Sequence, residues 1–478
     1  MPPMNQEPVR MLRKLRRPAT ALACAALVAL STTVAGTGTA AADPVAEGFG
    51  DLLARNVNTA GVTAHLRALQ SIADRNGGNR ALGSPGYRQS LDYVEAQLRQ
   101  AGFLPRRQDL TATVFDVKDH KLSAGGQTIE SEVLGYSGAT PPLTAPVSQV
   151  PSSDTTPGCQ AADFGPATRG SIAVVDRGVC TFADKATNAK RAGARAVVFV
   201  NNEDGPLAAT LGEDVEQPLP AVAVARQLGA QVRQARSLTV AVDATVTRAK
   251  TWNLIAETYL GLPNSVTMVG AHLDGVPEGP GINDNGSGTA GVLQAAKTMT
   301  AFAPVKNKVR FAFWAAEEQG LVGSTRYVET LPKPERAKIK RYINFDMIGS
   351  HNGGYFVYDG DGSSKLEGAY PGPAGSGEIE QVLTRYLTAR GVKPEVSGFD
   401  GRSDYDPFAS AGIASGGADS GADKVKTPAQ AAKWGGQAGL TFDPNYHTDR
   451  DTYANVNRTI LGNLAPAVAY AAGYFAMH

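Results

Sequence analysis

Acidic and imidazole side chains follow three apolar segments of this chain, each at a point where a strand is expected to end. His272 and Asp274 close the first apolar run. Glu317 and Glu318 directly follow a second run, and Asp346 lies within a third. In open α/β sheets, ligand-binding groups gather at the carboxyl ends of the strands. We therefore expect these side chains to converge on one edge of a sheet.

A glycine-rich turn over residues 281–288 adds Asp284 just before an expected helix, and Tyr446-His447 adds a second imidazole. Clustered carboxylates repel one another, and their burial without a partner is costly. None of these motifs contains a lysine or an arginine, so a bound divalent cation is the expected counter-charge. Mixed nitrogen and oxygen ligands suit zinc, and one carboxylate can bridge two ions about 3.5–4 Å apart.

Each motif alone also has an ordinary structural explanation. A single histidine at a strand end is usually hydrogen-bonded without binding a metal. Glu317-Glu318 is typical of an exposed helix start, and Asp284 could cap the helix that follows it. Their occurrence together at successive strand ends favours a metal centre.

Hydrophobic periodicity predicts alternating helices and strands. A helix is expected around Val62–Asp74, and a second has Ser84 as its cap and ends at Gly102. Short β-rich pieces are expected from about Thr111. The remaining expected elements, in chain order, are the strand Ser171–Val175, the helix Phe182–Ala192, the strands Ala196–Val200 and Val266–Ala271, the helix Ala290–Thr300, and the strands Val309–Ala315 and Tyr342–Ile348. This alternation predicts an α/β fold with a mixed, largely parallel central sheet flanked by helices.

A leader and an inserted domain are expected in addition. Basic residues, an apolar run and small residues predict a secretory signal peptide over residues 1–42. The α/β domain is assigned residues 43–125 and 246–478, because its first part contains too few strands for a sheet of its own. The smaller β-rich insert is assigned residues 133–245. No segment after the leader is expected to be apolar enough to span a membrane.

The charges are almost balanced, with 46 Lys and Arg against 45 Asp and Glu and a formal net charge of +1. This balance argues against a nucleic acid as the main partner. Cys24 lies inside the predicted leader, which leaves Cys159 and Cys180. In an oxidising compartment, two cysteines about twenty residues apart predict a disulfide rather than a metal site.

Several separated motifs agree with one known family in their order along the chain. They are AHLD, GINDNGSG, WAAEE, NFDMIGS, GRSDYDPF and YH, preceded by NRALGSPGYRQSLDYV. Together they resemble the secreted double-zinc aminopeptidases of metallopeptidase family 28, which implies a zinc-exopeptidase-like fold. The stretch DRGVCTFADKATNAKRAGARAVVFVNN resembles a protease-associated (PA) domain, a module without catalytic residues. Its implied role is to border the cleft, and a passive insert is the alternative.

The resemblance implies two zinc ions and a ligand role for five residues. One ion would be held by His272 and Asp346. The other would be held by Glu318 and His447, with Asp284 bridging the two ions.

The resemblance also implies three catalytic and supporting roles. Glu317 would be the general base that takes a proton from the zinc-activated water. Tyr446 would help to stabilise the oxyanion, and Asp274 would fix the tautomer of the His272 imidazole. Relatives can also bind calcium, for which no ligands are assigned in this chain.

Three further residues are assigned to the substrate pocket by the same resemblance. Arg402 and Asp404 would belong to its wall, and an exposed ion pair in a loop is the alternative. Asp419 stands where relatives carry an aromatic residue in the side-chain pocket. A buried acid there predicts a preference for an N-terminal Lys or Arg over a Leu-like residue, whereas an acid that faces solvent would not.

The sequence therefore predicts a secreted, monomeric aminopeptidase that acts on the N-termini of peptides and proteins, with no nucleic-acid or membrane partner. A carboxypeptidase of the same superfamily is an alternative, but it needs a basic cluster, and only Arg402 lies near the motifs. A non-catalytic binding protein with the same fold is a third possibility. It is disfavoured because none of the expected ligands is missing.

Overall fold

A sheet of fourteen strands organises the fold of the described residues. The computed structural model describes residues 43–151, 153–202, 205, 207, 209–212, 215–366 and 368–478. The signal peptide expected over residues 1–42 lies outside these residues. The described strands are β1 (Arg106–Ala124), β2 (Gln127–Ile129), β3 (Glu132–Val133), β4 (Thr140–Gln149), β5 (Ile172–Asp176), β6 (Ala196–Val200), β7 (Ala221–Val224), β8 (Ser237–Glu257), β9 (Leu262–His272), β10 (Asn307–Trp314), β11 (Ile339–Phe345), β12 (Phe356–Tyr358), β13 (Glu395–Ser397) and β14 (Ala414–Asp419).

The strand order across the sheet is β13-β12-β14-β11-β9-β10-β8-β4-β5-β6-β7-β3. Strands β14, β11, β9 and β10 are mutually parallel, whereas β8 is antiparallel to β10 and β12 is antiparallel to β14. The central strands are apolar along their length because helices cover both of their faces. The prediction of a mixed, largely parallel sheet flanked by helices is confirmed.

The helices are α1 (Pro44–Asn56), α2 (Thr59–Arg75), α3 (Pro85–Gln100), α4 (Phe182–Arg191), α5 (Gly229–Gln234), α6 (Gly286–Met299), α7 (Val322–Thr330), α8 (Lys333–Arg336), α9 (Ser376–Thr388), α10 (Asp406–Ser410), α11 (Pro428–Trp434) and α12 (Arg458–Met477). Helices α1, α2, α3, α6, α9 and α12 share the larger core on one face of the sheet. On the other face, α7 and α10 pack over Trp314 and Tyr342, and the Phe408 ring stacks on Tyr342 at 4.0 Å.

Most expected elements are present within a few residues of their predicted bounds. Ser84 caps α3 as predicted, because its side chain accepts the Tyr87 backbone N–H over 3.0 Å. The prediction of short β pieces after Thr111 holds for β2 and β3 but is wrong for the residues up to Ala124, since β1 is one strand of 19 residues. It pairs with β8 along almost its whole length, and this two-stranded ribbon carries the segment between the two strands.

That segment forms a second, smaller α/β layer at the far end of the ribbon. Strands β4 to β7 are parallel, β3 closes one side, and a separate apolar core fills the layer. Cys159 and Cys180 form a disulfide with a Cα–Cα distance of 5.8 Å, so the predicted bridge is confirmed. The insert boundaries at residues 133 and 245 stay a prediction.

One helix of the described chain, α12, is long and apolar enough by length and composition to cross a membrane. The expectation that no segment after the leader has such a composition is therefore wrong. The helix packs against α1 and α6, and 78% of its apolar window is buried within the protein. This burial is typical of a core helix.

Candidate metal centre

The candidate site lies at the carboxyl ends of the three central strands β9, β10 and β11. His272 is the last residue of β9. Glu317 and Glu318 follow β10, and Asp346 follows β11 directly. Asp284 lies in the turn before α6 and His447 lies in the loop before α12, so six side chains from five segments meet at one edge.

The Asp284 carboxylate stands between two imidazoles. Its Oδ1 lies 3.3 Å from His272 Nε2, and its Oδ2 lies 3.2 Å from His447 Nε2. Asp346 Oδ1 also lies 3.3 Å from His272 Nε2, and Glu318 Oε2 lies 3.1 Å from His447 Nε2. Two groups, each with one imidazole and one carboxylate, therefore share Asp284.

The electrostatics of this group fit a bound cation. Burial and the neighbouring Asp284 raise the pKa of Glu318 to about 7. Burial disfavours a charged His447, yet its contacts with Asp284 and Glu318 raise its pKa to about 11. Glu318 Oε1 has no hydrogen-bond partner among the described residues. Imidazole nitrogens and carboxylate oxygens are the ligands that a divalent metal takes. A bound metal would also neutralise the negative charge of the carboxylates that crowd around the two imidazoles.

Asp274 is fully buried behind His272 and connects two of the ligand segments. The backbone carbonyl of Asp274 lies 3.2 Å from His272 Nδ1, and its carboxylate oxygen lies 3.8 Å from the same atom. The carboxylate accepts the backbone N–H groups of Glu317 and Glu318 over 3.2 and 3.3 Å. Asp274 thus contacts the His272 imidazole most closely through its backbone carbonyl, while its carboxylate binds the segment after β10. Its role in orienting the imidazole stays a prediction.

Asp346 ends a chain of buried hydrogen bonds that sequence reasoning missed. Ser403 Oγ donates to Asp346 Oδ2 over 2.7 Å, and Asn344 Nδ2 donates to Ser403 over 2.8 Å. Tyr342 donates to Asn344 Oδ1 over 2.9 Å, and Trp314 Nε1 donates to Tyr342 over 2.7 Å. Ser403, Asn344 and Trp314 lie in the motifs GRSD, NFDMIGS and WAAEE, but nothing in these motifs indicates the hydrogen bonds that join them.

Two charged residues outside the predicted set also touch the ligand loops. Asp451 accepts the backbone N–H groups of Asn283 and Asp284 over 2.7 and 2.9 Å. Arg80 is fully buried and donates to backbone carbonyls beside His272 and Asp284. The only sequence signals were the position of Asp451 just after His447 and that of Arg80 in NRALGSPG.

A close backbone approach explains one glycine of the turn. A Cβ atom on Gly288 would lie 2.1 Å from the Phe345 carbonyl oxygen and 2.3 Å from Asn285 Oδ1. Asn285 also caps α6, since its side chain accepts the Gly288 backbone N–H over 2.9 Å. The peptide bond between Asp284 and Asn285 is cis.

The substrate-pocket candidates lie in different surroundings. Arg402 is half-exposed and forms a two-pronged ion pair with Asp423, with both contacts at 3.0 Å. Asp404 is fully buried and does not line the cavity, and burial raises its pKa to about 7. Asp419 lines the cavity and accepts hydrogen bonds from the Ser397 hydroxyl and the Gly421 N–H. The pocket roles of all three stay predictions.

A cavity of about 500 Å³ opens from the ligand group. Tyr446 lines it, and the Tyr446 ring stacks on His447 with centroids 3.8 Å apart. Apolar walls continue away from the ligands through Phe356, Tyr358 and Phe442. None of the described residues between 142 and 232 lines this cavity.

A further acidic group lies apart from this site. Single oxygens of Asp359, Asp361 and Glu380 come within 4.8 Å of one another. The Asp359 carboxylate accepts the backbone N–H groups of Ser363 and Ser364, as expected for a loop. The calcium expectation therefore stays without assigned ligands.

Known proteins are similar to this chain over most of its length. A family model described as Peptidase family M28 matches residues 253–472, and a PA domain model matches residues 142–232. A probable lipoprotein aminopeptidase of Mycobacterium tuberculosis is 43% identical over 478 residues, which covers 98% of this chain and 95% of the relative. An aminopeptidase of Pseudomonas aeruginosa is 42% identical, with 89% and 82% coverage.

Solved structures are similar as well. An aminopeptidase from Aneurinibacillus sp. strain AM-1 has a TM-score of 0.72 and 26% identity, with 88% of this chain and 95% of that chain covered. A zinc aminopeptidase from Bacillus subtilis has a TM-score of 0.62 and 25% identity, with 86% and 94% covered.

The fold, the site and these relatives define the class of the protein, which is a hydrolase of peptide bonds with aminopeptidase activity. Within that class, the chain belongs to Peptidase family M28, and it carries an inserted PA domain. The recognition made from the motifs is confirmed.

Proposed function

We propose that this chain is an exported two-zinc aminopeptidase that hydrolyses the N-terminal peptide bond of peptides and proteins. The observation that carries the proposal is the position of Asp284. Its two oxygens lie 3.3 and 3.2 Å from the Nε2 atoms of His272 and His447, so one carboxylate faces two ligand groups. A carboxylate shared in this way is typical of a site for two metal ions.

In the proposed site, His272 and Asp346 would hold one zinc ion, Glu318 and His447 would hold the other, and Asp284 would serve both. Zinc is supported by the mixture of nitrogen and oxygen ligands and by the zinc aminopeptidase of Bacillus subtilis with the same fold. When bound, the ions would act as Lewis acids and would lower the pKa of a water molecule to about 7.

Glu317 is the proposed general base. Its carboxylate takes a proton from the attacking water and passes it to the leaving amine. Burial raises the pKa of Glu317 well above its usual range; His272 opposes this shift, and the carboxylates of Asp404, Glu318 and Asp346 add to it. A raised pKa suits a group that has to hold a proton between these two steps.

Tyr446 is proposed to donate its hydroxyl to the oxyanion that forms on the substrate carbonyl. It lines the cavity beside His447. Burial and the carboxylates Asp284 and Glu318 raise the pKa of Tyr446, so the phenol stays protonated and remains a donor.

The charge of the cavity favours a substrate amine over a substrate carboxylate. Eight acidic residues line the described cavity, against two basic residues, Arg402 and Lys424. Arg402 is already paired with Asp423 through both of its terminal nitrogens. A carboxypeptidase would need free basic groups, so this imbalance supports an aminopeptidase.

For the N-terminal side chain we propose a Leu-like preference. Phe356, Tyr358 and Phe442 form an apolar part of the wall beyond the ligands. Both oxygens of Asp419 already accept hydrogen bonds, from Ser397 and Gly421. Relatives that are 37% identical include leucine aminopeptidases of Trichophyton species. A preference for Lys or Arg is the alternative.

The two side-chain preferences are separated by the hydrolysis of leucyl and lysyl anilides. With the Leu-like preference, leucyl anilide is cleaved faster by the wild type, and Asp419→Asn leaves the ratio of the two kcat/KM values unchanged. A faster reaction of lysyl anilide that is lost in Asp419→Asn would establish the alternative.

Export is supported by the disulfide and by the predicted leader. The M. tuberculosis relative is described as a lipoprotein, which makes retention by a lipid at Cys24 the alternative to release after residue 42. The N-terminal sequence of the mature protein in medium and membrane fractions decides between them, with Cys24→Ser as the control. We also propose that the enzyme is a monomer, which light scattering tests.

The metal and the base are tested with two adjacent glutamates. The wild type should bind close to two zinc equivalents, and 1,10-phenanthroline should abolish activity until zinc is restored. Glu317→Gln should keep both ions and lower kcat by about 10²–10⁴-fold. Glu318→Gln should bind less zinc. If Glu317→Gln loses zinc as Glu318→Gln does, or keeps near-normal activity, the role of Glu317 as the base is wrong.

The end of the chain that is attacked is tested with paired peptides that differ only in N-terminal acetylation. An aminopeptidase cleaves the free peptide and leaves the acetylated one intact, because the amine has lost its charge. Equal cleavage of the two peptides would replace this proposal with another specificity.

A further inference from the structure

Arg80 lies between α2 and α3 and is fully buried beneath the candidate metal centre. Its Nε donates to the Pro280 carbonyl over 2.8 Å, and one terminal nitrogen donates to the Leu273 carbonyl over 2.5 Å. The other terminal nitrogen donates to the Gly281 carbonyl. All three acceptors are backbone oxygens from segments about two hundred residues away in the sequence.

These acceptors flank two of the proposed metal ligands. Leu273 directly follows His272, while Pro280 and Gly281 begin the turn that presents Asp284. Neither Arg80 nor its acceptors touch the cavity. The planar guanidinium has donors in fixed directions, so one side chain can hold several carbonyls at once.

Two glycines of the turn lie directly against this guanidinium. A Cβ on Gly281 would lie 3.2 Å from Arg80 Nη2, and one on Gly286 would lie 3.7 Å from the same atom. The turn therefore closes around the arginine head group.

Two buried carboxylates complete the arrangement. Asp451 accepts the N–H groups of Asn283 and Asp284, and Asp274 accepts those of Glu317 and Glu318. Arg80 interacts electrostatically with Asp451 and Asp274, and also with Asp284 and Glu318. Together, three charged side chains hold the peptide groups of three ligand segments, and the arginine offsets part of their negative charge.

We propose that Arg80 is a positioning residue of the metal centre, which fixes the backbone beside His272 and Asp284 so that their side chains already face each other before metal binds. The inference rests on the proposed two-zinc site. If Arg80 only joined α2 and α3 to the sheet, its removal would lower stability without altering the metal ligands. Supporting groups of this kind typically change metal affinity by about 10–100-fold.

The test compares Arg80→Met, Arg80→Lys and the control Arg310→Met. Lysine keeps the charge but lacks the planar fork, whereas methionine lacks both. Arg310 is also a largely buried arginine of the sheet, but it pairs with Glu257 and Tyr327, away from the ligands. The zinc dissociation constant is measured by competition with a chelator, and the visible spectrum of the cobalt-loaded protein reports the ligand geometry.

We expect Arg80→Met to bind zinc about 10–100-fold more weakly, with an altered cobalt spectrum, and Arg80→Lys to recover part of the affinity. Arg310→Met should lower the thermal stability and keep both metal readouts. If Arg80→Met does not fold, Arg80→Lys alone carries the comparison with the wild type. Wild-type zinc affinity and cobalt spectrum in Arg80→Lys and in any folded Arg80→Met, or an equal loss of affinity in Arg310→Met, would overturn the inference.

The two proposals fail in different ways. A wild-type protein that binds no zinc refutes the proposed function. A wild-type protein that binds two zinc ions, with Arg80 variants that bind them equally well, refutes the positioning role alone.

Discussion

Ser403→Ala should selectively weaken the binding of one of the two proposed zinc ions. The Ser403 hydroxyl donates to Asp346 Oδ2 over 2.7 Å, while Asp346 Oδ1 faces His272 Nε2 at 3.3 Å. The hydroxyl thus fixes the rotation of the carboxylate that turns Oδ1 towards its imidazole partner. Ser403 is 4% exposed and lines the same cavity as Asp346, so the expected magnitude is that of losing the hydrogen bond without its replacement by water.

The size of the effect follows from the charge on the acceptor. A hydrogen bond to a charged group contributes about 1.5–3 kcal/mol. Because about 1.4 kcal/mol corresponds to a tenfold change in an equilibrium constant, the ion held by His272 and Asp346 should bind about 10–100-fold more weakly. Ser403 donates to Asp346 and not to Glu318 or His447, so the ion held by Glu318 and His447 should keep its affinity.

The assay is the removal of zinc by increasing concentrations of chelator, with protein-bound metal measured at each step. In Ser403→Ala, one equivalent should leave at a chelator concentration about 10–100-fold lower than in the wild type. Ser90→Ala is the matched control, because the Ser90 hydroxyl is buried and donates over 2.9 Å to the Gly86 carbonyl in α3. If the two equivalents shift together, or if neither shifts, the reasoning about Asp346 is refuted.

The other predictions concern the turn, the oxyanion donor, a buried histidine and the disulfide. Gly288→Ala should lower the free energy of unfolding by about 3 kcal/mol, because the Phe345 carbonyl and the Asn285 side chain block the added methyl group; wild-type stability in urea unfolding would contradict this. Tyr446→Phe should lower kcat by about 10²-fold with little change in KM, and a change in KM alone would remove Tyr446 from its proposed role. Burial, and then Lys297, lower the pKa of His65 to about 4, below the ordinary value near 6.5, so its neutral form stabilises the fold. This contribution is complete above about pH 6.5 and is lost as the pH falls towards 4, so His65→Gln should reduce the stability difference between pH 7 and pH 4.5 by about 2–3 kcal/mol in denaturant unfolding. Replacement of Cys159 and Cys180 by serine should cost about 3 kcal/mol of stability, and an unchanged melting temperature with and without reductant would argue against that figure.

The strand-end residues could be predicted from the sequence because each follows an apolar run that can only be a buried strand. His272, Glu317 and Asp346 are visible in this way, since a polar group at such a place is unusual. Their supporting groups carry no such signal. Ser403 and Asp451 lie in loops, where serine and aspartate are common for reasons of turn geometry.

Arg80 shows a second limit of sequence reasoning. The acidic motifs contain no basic residue, so a bound divalent cation is the counter-charge that the sequence predicts. Part of that charge comes from an arginine about two hundred residues earlier in the chain, and spacing alone cannot bring the two segments together. Such a contact depends on the tertiary fold.

The sequence did not predict the full length of strand β1 or the helix α12, because the hydrophobic patterns of both are weak. Strand β1 is largely exposed along its middle, so it lacks the apolar alternation that marks a half-buried strand. Helix α12 is buried on most of its circumference, so its sequence has no polar face to set the helical period.

The β1–β8 ribbon has a consequence for how the PA module could have been acquired. Val114 is the partner of Thr247 in the ladder, so the chain leaves the catalytic half and returns to it on neighbouring strands. A tight turn at that point would close the same two strands into an ordinary hairpin. The module can therefore be regarded as an enlarged hairpin tip, which evolution could lengthen or trim while the metal-binding edge kept its connectivity.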